Sequence, residues 1–274
     1  MAYPTVSAAY GYKPVNLIGG QVFAGSTREY PIAYNYGTAI YNGDPVTLTA
    51  GYATIATVPV STTNTVVGVF LGCYYTNPTT KQRLYSQFYP GNVTAGDITA
   101  IVGDDPDVVI RCAVTAAAGS TAIASASSIL VGQNMAGNTL TGSVSTGNSA
   151  GAVIASTNGL TVAGAGFRVL GLVPDTQIET AGTYSSGTGT TTLGLTGLPA
   201  STTFPLGTDV YNLVNGQLQF TGSTLTSAGS SNASGVASLT VTASTVAVSG
   251  TVVLVQTPEV LVKWNFGAHR YYVA

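Results

Sequence analysis

Only 7% of the 274 residues are Asp, Glu, Lys or Arg, and yet Thr, Ser, Gly or Asn interrupts every hydrophobic run before it could span a membrane. Soluble domains average about 25% charged residues, so Thr, Ser, Asn and Tyr have to cover the water-facing side of this chain. That is the surface of an assembled or extracellular β protein. The length suits one large all-β domain or two smaller ones, with a sizeable core.

Further limits come from the termini, the charge and the cysteines. The start, Met1-Ala2-Tyr3-Pro4-Thr5, has neither the basic region nor the apolar stretch of a secretory signal, which points to a chain made in a cytosol or already processed. A net charge of −2 leaves no basic patch to neutralise a phosphate backbone, so nucleic acid is not expected as a direct partner. Cys73 and Cys112 sit inside apolar β-like runs and read as buried thiols, with a single disulfide as the alternative.

The periodicity is that of short strands. Ala39-Ile40-Tyr41 and Val46-Thr47-Leu48-Thr49 flank Asn42-Gly43-Asp44-Pro45, and Asn-Gly between β-prone runs predicts a hairpin. The run from Val66 to Tyr75 is too apolar for a one-sided strand and predicts a central one, its glycines marking a bend or close backbone approach. Gln82–Tyr89, Asp97–Val102 and Val108–Ile110 add further strands, and this spacing reads as a compact barrel or sandwich. Ser120–Ile129 is a weak helix candidate, poor because of its Ser and β-branched residues.

Charge is distributed unevenly. Ala113 to Phe167 contains no charged residue in 55 positions, and 180–258 holds only Asp209. Within that second stretch Asp209–Val214, the turn Asn215-Gly216 and Gln217–Thr221 predict another hairpin, and Ala237–Thr242, Val246–Val248 and Val252–Val255 complete a small all-β module. Charge returns in Glu259–Phe266, which suggests a last strand that rejoins the first domain. The expected organisation is all-β: an extended N-terminal arm (1–20), a barrel or sandwich docking domain (21–175 plus 257–274), and a Thr/Ser/Gly-rich insertion (176–256). A simple tandem of two domains is the alternative.

Chemistry-bearing residues are scarce. The lone His269 lacks partners for a nucleophilic triad and reads as a polar terminal residue, and no transition-metal spacing is present. Asp104, Asp105 and Asp107 could gather Ca²⁺, but Asp and Pro together more readily make a turn. No phosphate-binding glycine loop occurs, so neither catalytic residues nor a cofactor is expected. The tyrosines carry more weight. Tyr3, Tyr10, Tyr12, Tyr30, Tyr34 and Tyr36, with Pro4 and Pro14, form a Tyr- and Pro-bearing segment suited to lie across a neighbouring subunit, unless the rings simply cover the base of the β domain.

Residues 1–37, especially the run from Tyr10 to Arg28, resemble the opening of virion structural proteins of marine and freshwater tailed phages, cyanophages included. So do Gly68–Thr76, Asp104-Asp105-Pro106-Asp107, Val131–Asn134 and Val260–Asn265. The resemblance covers about 1–175 and 257–274 and leaves 176–256 outside. It implies a nonenzymatic capsid decoration or cement protein on the capsid surface of the virion, made in the host cytoplasm. A major capsid protein lattice is the implied partner and a homotrimer the implied assembly; the interrupted hydrophobic runs leave no membrane partner expected. The alternative is a receptor- or carbohydrate-binding fibre module whose distal domain meets a host-surface glycan.

Overall fold

The computed structural model describes residues 6–18, 20–56, 65–138, 140–155, 165–186, 191–265 and 268–270. Among them there is no α-helix; short 3₁₀ turns include Ser128–Leu130 and Pro174–Thr176. The first strands are β1 Lys13–Leu17, β2 Arg28–Pro31, β3 Pro45–Thr49, β4 Tyr52–Ile55, β5 Gly68–Thr76, β6 Arg83–Ser86 and β7 Thr99–Gly103. Next come β8 Val108–Thr115, β9 Asn134–Met135, β10 Gly137–Asn138, β11 Ala152–Ile154 and β12 Phe167–Leu172. They are followed by β13 Ile178–Ser186, β14 Thr192–Thr196, β15 Thr203–Phe204, β16 Asp209–Val214 and β17 Gln217–Thr224. The last four are β18 Gly229–Ser230, β19 Ala237–Thr240, β20 Thr251–Gln256 and β21 Glu259–Trp264.

The first large sheet runs β2-β7-β5-β3-β4, with β6 added to β5, and β4 comes back beside β2 to leave a nearly closed barrel. Ile40, Val46, Phe70, Tyr89, Ile98 and Val102 fill it. Strand β5 is central, as its apolar run predicts. A Cβ on Gly68 would collide with the Gly103 carbonyl, which is the close approach that its glycine foreshadows. The bend lies at the bulge between Phe70 and Gly72.

The second sheet runs β10-β11-β8-β21-β12-β9, with β1 on β8. Its core holds an aromatic stack from three distant parts of the chain: Tyr12 on Phe167 and Phe167 on Trp264, each with centroids 4.8 Å apart. Stacked rings add to their area burial and so tie β1's flank, β12 and β21 together.

Residues 178–256 build a third sheet, β17-β16-β20-β13-β14-β19, beside the small pair β15-β18. Leu195, Phe204, Val210, Leu225 and Leu254 belong to its separate core. The strands on either side of this segment, β12 and β21, pair directly with each other from Phe167↔Trp264 to Leu172↔Val260. The chain therefore leaves the second sheet and returns to it at neighbouring points, with the Val173 N–H donating to the Glu259 carbonyl at 3.2 Å.

Three local expectations are corrected. Ala39–Tyr41 does not pair with β3 across Asn42-Gly43. Ile40 bridges Tyr89 and Asn42 bridges Asn148, while β3 turns through Ala50-Gly51 into β4. The Asn42–Asp44 turn forms, with Gly43 at φ 93°, but it joins Ile40 to β3 within the barrel and docks on residues 12 and 147–149, its N–H groups being taken by Gly147, Phe70 and Tyr41 carbonyls. Ser120–Ile129 is extended apart from the 3₁₀ turn, as its residues prefer. Val246–Val248 is irregular, held to the sheet by Asn212, whose Nδ2 donates to the Ala247 carbonyl at 2.8 Å.

Candidate interface surfaces and a polar junction

Tyr3 and Pro4 lie outside the described residues. Tyr12 is fully buried in this chain's own core, where its hydroxyl donates to the Ala152 carbonyl. Tyr10 donates to Glu259, and Pro14 lies in β1 against β8. Tyr30 donates to Asp104 at 3.0 Å, and Tyr36 stacks on Tyr89 at 6.1 Å. Of the described rings in this set only Tyr34 stands clear, 66% exposed. The structure thus spreads these tyrosines over two cores and one exposed position.

Other exposed side chains on the barrel went unnoticed in the sequence. Tyr85 on the edge strand β6 is 67% exposed, next to exposed Leu84, and the Arg83 guanidinium lies 4.1 Å above the Tyr74 ring and 5.5 Å from that of Tyr85. Tyr52 is exposed on β4. Arg and Tyr are the side chains that interfaces favour, and stacking holds this Arg in place. The alternation Arg83-Leu84-Tyr85 was legible, but that β6 is an edge with both faces wet was not.

Acidic groups tie the structure internally. Arg111 Nε and Nη2 both reach the nearly buried Glu259 carboxylate, Nε at 3.1 Å. Burial works against the Glu259 charge, but hydrogen bonds from Arg111, Tyr10 and Thr176 outweigh it and lower its pKa. Asp105 Oδ1 accepts the Asp107 N–H at 2.8 Å and Asp104 meets Arg28 Nε at 3.1 Å, so this acidic cluster makes the turn between β7 and β8. Asp209 Oδ2 accepts the Ser128 N–H at 2.8 Å, which joins the third sheet to the second, and burial raises its pKa.

A polar junction forms where residues 11–13, 42–44 and 147–151 meet. Gly11 N donates to Gly151 O, Tyr12 N to Gly43 O and Ser149 N to Asn42 O, all at 2.9–3.0 Å. Lys13 Nζ donates to Asn42 Oδ1 at 2.6 Å and Asn148 Oδ1 at 3.3 Å, and Asn42 Nδ2 donates to the Leu71 carbonyl at 2.7 Å. Buried Asp44 accepts the Tyr41 N–H on Oδ2 at 2.8 Å, while its Oδ1 lacks a hydrogen-bond partner of good geometry. Burial pushes this carboxyl up to about 6 against the opposing help of Ser149, the Tyr41 N–H and the Lys13 charge, and it lowers the Lys13 pKa. Sequence reading passed over this group because its members lie 29 and 135 residues apart.

His269 is not a wet terminal residue. It is fully buried, its ring 6.2 Å from that of Trp264, and it bridges Val66. Both cysteines are buried thiols without a disulfide, Cys73 pushed by burial up to about 12 and Cys112 raised by burial and the Glu259 charge, so neither is a ready nucleophile. A cleft of about 280 Å³ opens in the third sheet's unit, lined by Tyr184, Thr191, Thr192, Val246 and Val248 among others. No group of three metal-ligating side chains occurs among the described residues, and no helix among them is long and apolar enough to cross a membrane. No protein family, curated protein or solved structure matches the chain.

Proposed function

We propose that this chain is a nonenzymatic virion structural protein, a capsid decoration or cement protein that binds across major capsid protein subunits and stabilises a phage head. The observation that carries this reading is the exposure of Tyr34, Tyr85, Tyr52 and Leu84 on the barrel of a chain that has few charges. Exposed aromatic side chains on a weakly charged chain suit clamping through many modest contacts rather than ion pairs. Removal of residues 1–20 is a poor test, because it takes out β1 and core Tyr12 along with any arm. A better one is co-sedimentation of the Tyr34→Ser/Tyr85→Ser double variant with capsids that lack the protein. Wild type should decorate the whole head and the variant should lose occupancy; wild type found only at the tail, in a handful of copies per virion, would sink the reading.

The glycan-binding alternative draws on the cleft in the third unit, where Tyr184 offers a ring among hydroxyl side chains and no charge. Glycan-array binding by the whole chain, lost in Tyr184→Ala, would favour it.

A further inference from the structure

The Lys13 junction has the parts of an amide-forming site. An amine and a primary amide are already in contact, with Nζ 2.6 Å from Asn42 Oδ1. The amide is clamped from behind, because its Nδ2 donates to the Leu71 carbonyl at 2.7 Å. Asn148 is the poorer acceptor: it lies farther off at 3.3 Å, and its Oδ1 also takes the Gln87 Nε2–H at 2.9 Å. Among the described residues no carboxylate forms an ion pair with Lys13. The nearby acid is Asp44, buried beside the same turn with one oxygen lacking a good partner, and each of the two feels the other's charge. Tyr12 and Tyr41, the latter stacked on Phe88 at 5.6 Å, help to keep the place dry.

We propose that Lys13 and Asn42 join in an intramolecular isopeptide bond, with Asp44 as the proton carrier. Asp44 takes a proton from the Lys13 ammonium, and the neutral amine attacks Asn42 Cγ. The Nζ–Cγ bond forms, the Cγ–Nδ2 bond breaks, and one hydrogen of the amine passes through Asp44 to the departing nitrogen, which leaves as ammonia. Atoms and electrons balance without an oxidant or cofactor. The two abnormal titrations described above favour the neutral amine and the protonated acid that this sequence of steps needs. The product staples β1 of the second sheet to the turn that precedes β3 of the barrel, and it does not depend on the docking role.

A side reaction has the same mass signature. Asn42-Gly43 could close to a succinimide, which also expels ammonia, but the Gly43 N–H that would attack is donated to the Phe70 carbonyl at 2.8 Å. Mass spectrometry of the purified full-length chain tests the proposal. The intact mass should be one ammonia below that of the sequence, and a chymotryptic digest should yield residues 13–17 covalently joined to residues 42–48. Lys13→Arg, which keeps the charge, and Asp44→Asn, which keeps the shape, should both restore the full mass. A wild-type chain of full mass overturns the proposal, as does ammonia loss confined to the 42–48 peptide or a link that ends on Asn148.

Discussion

At the scale of single residues, buried acids decide most of what is testable. Glu259→Gln leaves Arg111 facing a neutral amide and should cost about 2–3 kcal/mol in urea unfolding at neutral pH, below the usual loss for a broken buried pair because Arg111 keeps one flank in water. Glu259 and Asp209 depend on pH with opposite signs. The Glu259 pKa is lowered on folding, so its contribution is present above the ordinary value of 4.5 and fades as pH falls through the lowered one. The Asp209 pKa is raised, so its contribution is complete below the ordinary 3.8 and is lost as pH rises through the raised value. Asp209→Asn should therefore gain stability relative to wild type as pH rises from 4 toward 8, read as the difference in thermal midpoint; a difference that is flat over that range would contradict the assignment. Residue types announced none of this, because carboxylates separated by tens of positions look alike until burial and partners distinguish them.

At the scale of elements, two Asn-Gly dipeptides met different fates. Asn215 (φ 50°) and Gly216 (φ 78°) form the two-residue hairpin turn between β16 and β17, as the flanking alternation predicts. Asn42-Gly43 has the same local chemistry, yet its carbonyl and N–H partners come from other segments (Tyr12, Phe70, Gly147 and Ser149), and it becomes a docked loop rather than a hairpin. Gly216→Ala should cost only about 1–2 kcal/mol, the ordinary penalty for an L side chain in the left-handed region, since nothing lies near its Cβ position. Gly68→Ala should cost more, about 3 kcal/mol or above, because the new methyl meets the Gly103 backbone where β5 and β7 approach. Equal shifts of the two denaturation midpoints would show that the close approach is unimportant.

For the whole molecule, the buried residues fall into three cores, two of them within the segments expected as the arm and docking domain and the third within the segment expected as an insertion. Excising residues 176–256 and bridging Asp175 to Thr257 with a short Gly-Ser linker should leave a chain that unfolds cooperatively, because β12 and β21 stay paired and the cut ends are neighbours. Loss of the near-ultraviolet signal of the Tyr12-Phe167-Trp264 stack in that variant would show that the third sheet supports the second. Low charge density also predicts that capsid binding changes little between low and high salt, measured by co-sedimentation. The sequence by itself determined the all-β class, the central strand β5, the second Asn-Gly hairpin and the buried thiols, since period, turn chemistry and side-chain polarity act over a few neighbouring residues. Only the tertiary structure decided that Tyr12 belongs to the core, that His269 is buried, that β6 is an edge, and that Lys13 sits on Asn42 beside Asp44. Those facts depend on which distant segments meet and how much water they exclude, and no local pattern encodes either.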